Sequence, residues 1–236
     1  MSNPGNWVHK IRLLRQLGIE PGTRVLDYGC GAGAAVRSLA AGGFDAYGFD
    51  VSDYQDEASN RVTIAPSGRL PYPNGHFDMI FSDQVFEHAA NQDEVFAELA
   101  RITRPGGVQV HVIPAKWQLI EPHVHVPLGG LVRLRWWYRL WALLGVRNPF
   151  QKGLGSEEVV RLNWDYCRHE LNYVSTFHYR RLWKKLGLHA RFVEREYMSL
   201  SGKPLIRRLA SLTAIPGVLA LIRTFWVRIV VLQKAC

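Results

Sequence analysis

One short stretch limits what this chain can fold into more than any other. Val25-Leu26-Asp27-Tyr28 is an apolar run carrying a single acid, and it enters Gly29-Cys30-Gly31-Ala32-Gly33. An Ala-rich segment then continues to about Ala41. Alternate glycines let a chain turn sharply out of a strand and bring its backbone close to a ligand. The helix beyond offers free N–H groups and the positive end of its dipole, which suit a carboxylate or a phosphate. Gly42-Gly43 ends that helix. Ala46 to Asp50 reads as the next strand, and Asp50 closes it.

The rhythm that begins there continues. Asn6 to Leu17 reads as an amphipathic helix ahead of the loop, with Val8, Ile11, Leu14 and Leu17 at helical spacing. The turn-rich Pro71-Tyr72-Pro73-Asn74-Gly75 sets up a strand from Phe77 to Ser82. Asp93 to Ile102 places Val95, Phe96, Leu99 and Ile102 on one helical face. Arg104-Pro105-Gly106-Gly107 is a turn, and Val108 to Ile113 is a strand. Strands alternating with helices at this spacing imply right-handed crossovers and a mainly parallel sheet.

After Pro114 the alternation stops. Residues 115–175 contain an aromatic, Arg-rich helix over Leu131 to Leu144 and another helix starting near Ser156. The α/β pattern returns with a helix over Phe177 to Leu186 and a strand-like run from Ala190 to Met198. Leu205 to Leu232 is apolar and basic.

Two cofactor classes use a glycine loop of this kind. A nicotinamide or flavin site prefers GxGxxG, whereas these glycines fall at Gly29, Gly31 and Gly33, with Asp27 two residues ahead. A carboxylate there repels a pyrophosphate and suits a ligand bearing an ammonium or a sulfonium. Asp50 suits the two hydroxyls of a ribose. These demands point to S-adenosylmethionine, which carries both cations and one carboxylate.

Four segments in order now resemble the class I S-adenosylmethionine-dependent methyltransferases, of the small-molecule type similar to quinone and sterol C-methyltransferases. They are Val25 to Gly33, Gly48-Phe49-Asp50-Val51-Ser52, Leu70-Pro71-Tyr72-Pro73 through Phe77-Asp78 to Phe86-Glu87-His88, and Leu99 through Arg104-Pro105-Gly106-Gly107. They cover most of residues 20–114, with a weaker echo at 176–198. The resemblance implies an α/β fold with a doubly wound, mainly parallel seven-stranded sheet. It divides the chain into a cofactor-binding half (1–114), a helical acceptor-side insertion (115–175), the last helix and strands (176–200) and an apolar, basic C-terminal appendage (201–236). It implies that Asp27, Gly29 and Gly31, with Gly33 completing the loop, line the methionine part of the cofactor. Asp50 holds the ribose, Val51 lies against adenine, and Ser82 and Gln84 lie near the methyl or the methionine tail. Where the family often has an acid for the adenine amino group this chain has Pro66, so Ser67 and Gly68 take that contact.

Methyl transfer from a sulfonium leaves a neutral thioether and needs no general acid. A base is needed only for a protonated acceptor. Candidates are His88, after the strand over 77–82, and the cluster Glu121-Pro122-His123-Val124-His125, where alternation puts His123 and His125 on one side if the segment is extended. A metal held by His123, His125 and a carboxylate lacks a clear third ligand, so no metal is assigned. His111, within its strand, reads as a structural residue. Ser82-Asp83-Gln84-Val85 is not an Asn-Pro-Pro-Tyr-like motif, and there is no Pro-Cys nucleophile, which disfavours amino methylation of adenine or glutamine and cytosine C5 chemistry.

Charge is unevenly spread. Residues 1–130 hold 10 basic and 14 acidic residues, whereas 131–236 hold 19 and 6, with six of the eight tryptophans. Basic plus aromatic composition favours an anionic surface. The expected acceptor is a small apolar or lipid-linked molecule. An anionic membrane surface is a candidate partner, and nucleic acid is the less favoured one. An RNA methyltransferase and a non-catalytic cofactor-binding scaffold are the rival readings. Three scattered cysteines, a polar N-terminus and no apolar run of about 20 residues read as a cytoplasmic protein, peripheral on the inner membrane face.

Overall fold

The structure is a computed structural model, and it describes residues 7–54, 59–65 and 69–236. The first half alternates as α1 (Trp7–Gln16), β1 (Arg24–Tyr28), α2 (Ala34–Ala41), β2 (Asp45–Asp50), β3 (Val62–Ile64), β4 (Phe77–Asp83), α3 (Gln92–Ile102) and β5 (Thr103–Pro114). The rest is α4 (Arg135–Leu143), α5 (Ser156–His169), α6 (Thr176–Lys185), β6 (Leu188–Phe192), α7 (Glu194–Ser199), α8 (Pro204–Leu212), α9 (Val218–Phe225) and β7 (Val227–Lys234).

The seven strands form one sheet in the order β3-β2-β1-β4-β5-β7-β6. The first five are parallel, and β7 runs antiparallel to both β5 and β6. Alternate residues serve opposite faces. Leu26, Ile80, Val230 and Leu232 pack with Phe86, Phe96, Leu99 and Trp183 on one side. Val25, Met79, Phe81, Val110, Ile229 and Val231 pack with Leu14, Val36 and Leu39 on the other. Crossovers cover both faces, which is why the strands read as nearly unbroken apolar runs.

Local signals explain the boundaries. Asn91 caps α3 by accepting from the Glu94 amide, and Asp93 and Glu94 lie at the positive end of that helix. Gly48 in β2 is a packing requirement. A Cβ there would lie 2.7 Å from Cys30 Sγ and 2.9 Å from Val36 Cγ2, so only glycine lets the loop and α2 press onto the strand.

Two expectations need correction at the C-terminal end. The run from Ala190 to Met198 is strand only to Phe192 and then turns helical as α7. The segment 201–236 is not wholly an appendage, because its last part is β7, an interior strand between β5 and β6. A strand buried on both faces lacks the alternation that would reveal it. Arg228 misleads further: it is buried, donates to the Val174 and Pro114 carbonyls and lies over the Tyr179 ring. Burial pulls its pKa down, with Tyr179, Glu87 and Glu194 opposing the shift.

Residues 115–175 add no strand to the sheet. They carry α4 and α5 around an apolar cluster of their own, centred on Val126, Tyr138, Val159, Val160 and Cys167. Near their end, Asn172 donates its amide to the Glu87 carbonyl and its side chain to the Ala89 and Ala90 carbonyls. That clamps the insertion onto the loop after β4.

Candidate functional site

The parallel strands end at one edge, and a cavity of about 250 Å³ opens there. It is lined by Tyr28, Gly29, Phe49, Asp50, Val51, Tyr54, Gln84, Val85 and His88. Of the cofactor residues expected from sequence, Gly29, Asp50, Val51 and Gln84 lie in its wall. The carboxylate of Asp50 also braces the glycine loop, accepting the Gly31 amide at 2.7 Å and the Ser52 amide at 3.2 Å. Each oxygen keeps a lone pair for a further donor. Gly33, in the left-handed region, starts α2. Gln84 is a non-glycine residue at φ 55°, and its backbone N–H donates a hydrogen bond to the Val112 carbonyl. Ser67 and Gly68 lie outside the described residues.

Two of the expected residues are buried rather than in the cavity wall. Asp27 lies in β1 just ahead of the loop, 4% exposed. Burial pushes its pKa up to about 7, partly opposed by Lys10 and reinforced by Asp83 and Asp50. Ser82 is fully buried and points elsewhere, because its hydroxyl is committed to His111 Nδ1 at 2.8 Å. That bond belongs to a buried chain. His111 Nε2 faces Gln109 Oε1, Gln109 donates to Thr103 Oγ1, and Thr103 donates to the Leu99 carbonyl. The directions fix the tautomer: Nε2 carries the proton and Ser82 donates to Nδ1. Burial drives the pKa of His111 down to about 3, so it is a neutral structural residue.

Lys10 was not singled out by sequence. It lies on α1, is 2% exposed and pairs with Asp83 at the end of β4. Its signal was its position one helical turn before Leu13 and Leu14, both core residues, which puts a cation on the apolar face.

The expected pairing of His123 with His125 fails. Residues 121–125 form a tight turn, closed by the His125 amide donating to the Glu121 carbonyl, rather than an extended segment. His125 sits at φ 60°, exposed. His123 turns inward, where its Nδ1 is 2.6 Å from Glu121 Oε1. Glu121 is buried and also accepts from the Tyr173 hydroxyl at 2.8 Å. His88 meets His123 ring to ring, with centroids 5.2 Å apart. Burial is the main cause lowering the pKa of His88. Beside them lies Glu87, which the sequence reading used only as part of a resemblance. It is 1% exposed, and burial pushes its pKa up to about 7.

Residues 6–191 match the family described as the methyltransferase domain. The chain belongs to that family. Its sheet order, with β7 reversed, is that of the Rossmann-like methyltransferase fold. A sterol 24-C-methyltransferase of Gibberella zeae is 27% identical over 113 residues, 42% of this chain and 30% of that protein. A 2-methyl-6-phytyl-1,4-hydroquinone methyltransferase of Synechocystis is 32% identical over 121 residues, 47% of this chain and 37% of that protein. The aligned part thus spans about a third of the length of these curated relatives. Among solved structures, phosphoethanolamine N-methyltransferase 2 of Haemonchus contortus has a similar fold. The TM-score is 0.58 at 15% identity, covering 99% of this chain and 54% of that one.

The cavity fits S-adenosylmethionine, the cofactor expected from sequence. Asp50 offers charged acceptors at the end of β2, apolar Phe49, Val51 and Tyr54 offer a surface for a base, and Gly29 exposes backbone. Asp27 tests the electrostatics. A cation in the cavity favours the Asp27 carboxylate, so binding draws its pKa down from about 7 and releases a proton. Affinity should therefore level off above pH 7 and fall as pH drops below it, approaching tenfold per pH unit. Calorimetry in buffers of different ionisation enthalpy measures the released proton. Asp27→Asn should bind more weakly and lose that slope, whereas a slope unchanged in the variant would assign the effect elsewhere.

Proposed function

We propose that this methyltransferase moves a methyl group to oxygen or carbon of a small, apolar or lipid-linked acceptor, working at an anionic membrane surface. Bound S-adenosylmethionine supplies the methyl on a sulfonium sulfur that departs as a neutral thioether. The chain's part is to position the acceptor, exclude water and, where the acceptor is protonated, accept or displace a proton.

One observation carries the reading: a set of exposed apolar side chains lies at the sheet edge where the cavity opens. Trp117, Leu119 and Ile120 follow directly on the carboxyl end of β5 and are each half or more exposed. The segment carrying α8 and α9 joins the sheet at that same edge, because the Ala115 amide donates to the Trp226 carbonyl and Pro114 pairs with Val227. That segment presents Leu205, Leu209, Leu212, Ile215, Leu221 and Phe225 to solvent, and α9 buries none of its residues. Arg207 and Arg208 are exposed on α8. Apolar residues with arginines alongside suit attachment in the plane of a lipid interface. Among the described residues no helix is long and apolar enough to cross a membrane. The sterol and phytyl-hydroquinone methyltransferases among the relatives act, by their names, on apolar molecules.

Flotation with vesicles containing anionic phosphatidylserine tests the surface. The protein should float at low salt, and Leu205→Asp with Leu221→Asp should remain in solution. Parent protein that stays at the bottom of the gradient at low salt would reject the membrane reading. For the acceptor, transfer of labelled methyl from S-adenosylmethionine into lysate fractions should label the lipid extract, and label in RNA or protein instead would overturn it.

A further inference from the structure

We propose that Glu87, His88 and His123 form a binding site for a divalent transition-metal cation at the side of the cofactor cavity. Each offers one ligand atom, and the three atoms lie within 4.8 Å of one another. Atoms bound to one zinc ion at about 2.1 Å cannot be more than about 4 Å apart, so small side-chain adjustments complete the set.

The surroundings prepare each ligand. His88 Nδ1 is 3.0 Å from the Glu170 carbonyl, which can only accept, so Nδ1 carries the proton and Nε2 keeps its lone pair. His123 Nδ1 faces Glu121 Oε1 at 2.6 Å, which leaves its Nε2 free in the same way. Glu121 is in turn fixed by the His123 amide and the Tyr173 hydroxyl. Imidazoles tied to a carbonyl or carboxylate through the far nitrogen are the usual partners of a bound metal. Glu87 supplies the independent observation. It is 1% exposed, and neither carboxylate oxygen has a hydrogen-bond partner among the described residues. A buried carboxyl group left without partners is costly, and a cation bound between it and two imidazoles satisfies it.

Two nitrogens and one oxygen, without a thiolate, suit zinc, manganese or iron(II) rather than magnesium or calcium, which prefer all-oxygen shells. Three protein ligands leave an open position, the pattern of a catalytic metal. His88 also lines the cofactor cavity, so the cation would sit at its wall. The acceptor class follows, and this half rests on the methyltransferase reading: a phenol or enol whose oxygen binds the cation as an anion. Its hydroxyl proton passes to solvent. The oxygen–methyl bond then forms as the methyl–sulfur bond breaks, and the electron pair stays on sulfur.

The test uses the full chain, stripped by a chelator and titrated calorimetrically with zinc chloride. One equivalent should bind with a micromolar or lower dissociation constant, and magnesium should give no heat at the same concentrations. Glu87→Gln and His123→Ala should each weaken zinc binding tenfold or more, while His125→Ala, outside the cluster, should not. Cobalt(II) added to the unmodified chain should give the visible absorption of a low-coordinate nitrogen–oxygen site, a readout independent of how the variants fold. No zinc heat, equal binding by all three variants, or the spectrum of hydrated cobalt would each overturn the site. S-adenosylmethionine binding by the stripped protein separates failure of the metal site from failure of the methyltransferase reading. Transfer from the metal-loaded enzyme to carbon, or undiminished transfer by the stripped one, would sink the acceptor half.

Discussion

Asp50→Ala should lower affinity for S-adenosylmethionine by about a hundredfold while the protein stays folded. Asp50 ends β2 in the cavity wall, and its carboxylate is the group placed to accept from ribose hydroxyls. Hydrogen bonds to a charged acceptor contribute about 1.5–3 kcal/mol each, so losing two removes roughly 3 kcal/mol or more. That corresponds to about two orders of magnitude in the dissociation constant. The same side chain accepts the Gly31 and Ser52 amides, so the variant also loosens the loop the ligand needs. Asp50→Asn keeps one acceptor oxygen and should fall between parent and alanine variant. Calorimetry with a thermal-melting control reads both, and an alanine variant with parental affinity would remove the ribose role from this residue.

Gly29→Ala carries the second large effect, this time on the fold and the cavity together. Gly29 sits at φ 79°, where an L residue costs roughly 1–2 kcal/mol. Its added Cβ would also lie 2.3 Å and 2.7 Å from the two Val85 methyls. Those atoms belong to a β-branched side chain with little freedom to retreat, and overpacking costs about 1–3 kcal/mol more. The two costs together come to about 2–5 kcal/mol, so the melting temperature should drop by roughly 5–20 °C, given about 2–4 °C per kcal/mol for a chain of this size. Both residues line the cavity, so cofactor binding should weaken as well. The double variant Gly29→Ala, Val85→Ala separates the causes. It should recover the steric part and keep the backbone part, whereas a double variant no better than the single one would assign the whole loss to φ.

Much of the site was legible because short-range rules govern it. A glycine turn between a strand and a helix, followed by a strand ending in an acid, can be read residue by residue, and Gly29, Asp50 and Val51 do meet in one cavity. Long-range partners were not legible. Lys10 reaches Asp83 from 73 positions away in sequence, Tyr173 reaches Glu121 from 52, and the Glu170 carbonyl reaches His88 from 82. Nothing at those positions marks the partner.

By itself, then, the sequence determined the alternating strands and helices, the glycine loop and the acid at the end of β2, because each depends on neighbours a few residues away. Only the tertiary structure decided that β7 enters the sheet interior, that Asp27 is buried, that Ser82 belongs to a buried chain, and that Glu87 joins His88 and His123. Those outcomes depend on burial and on distant segments meeting. Burial decides whether an arginine such as Arg228 is a surface charge or a core hydrogen-bond donor, and residue identity alone does not carry that information.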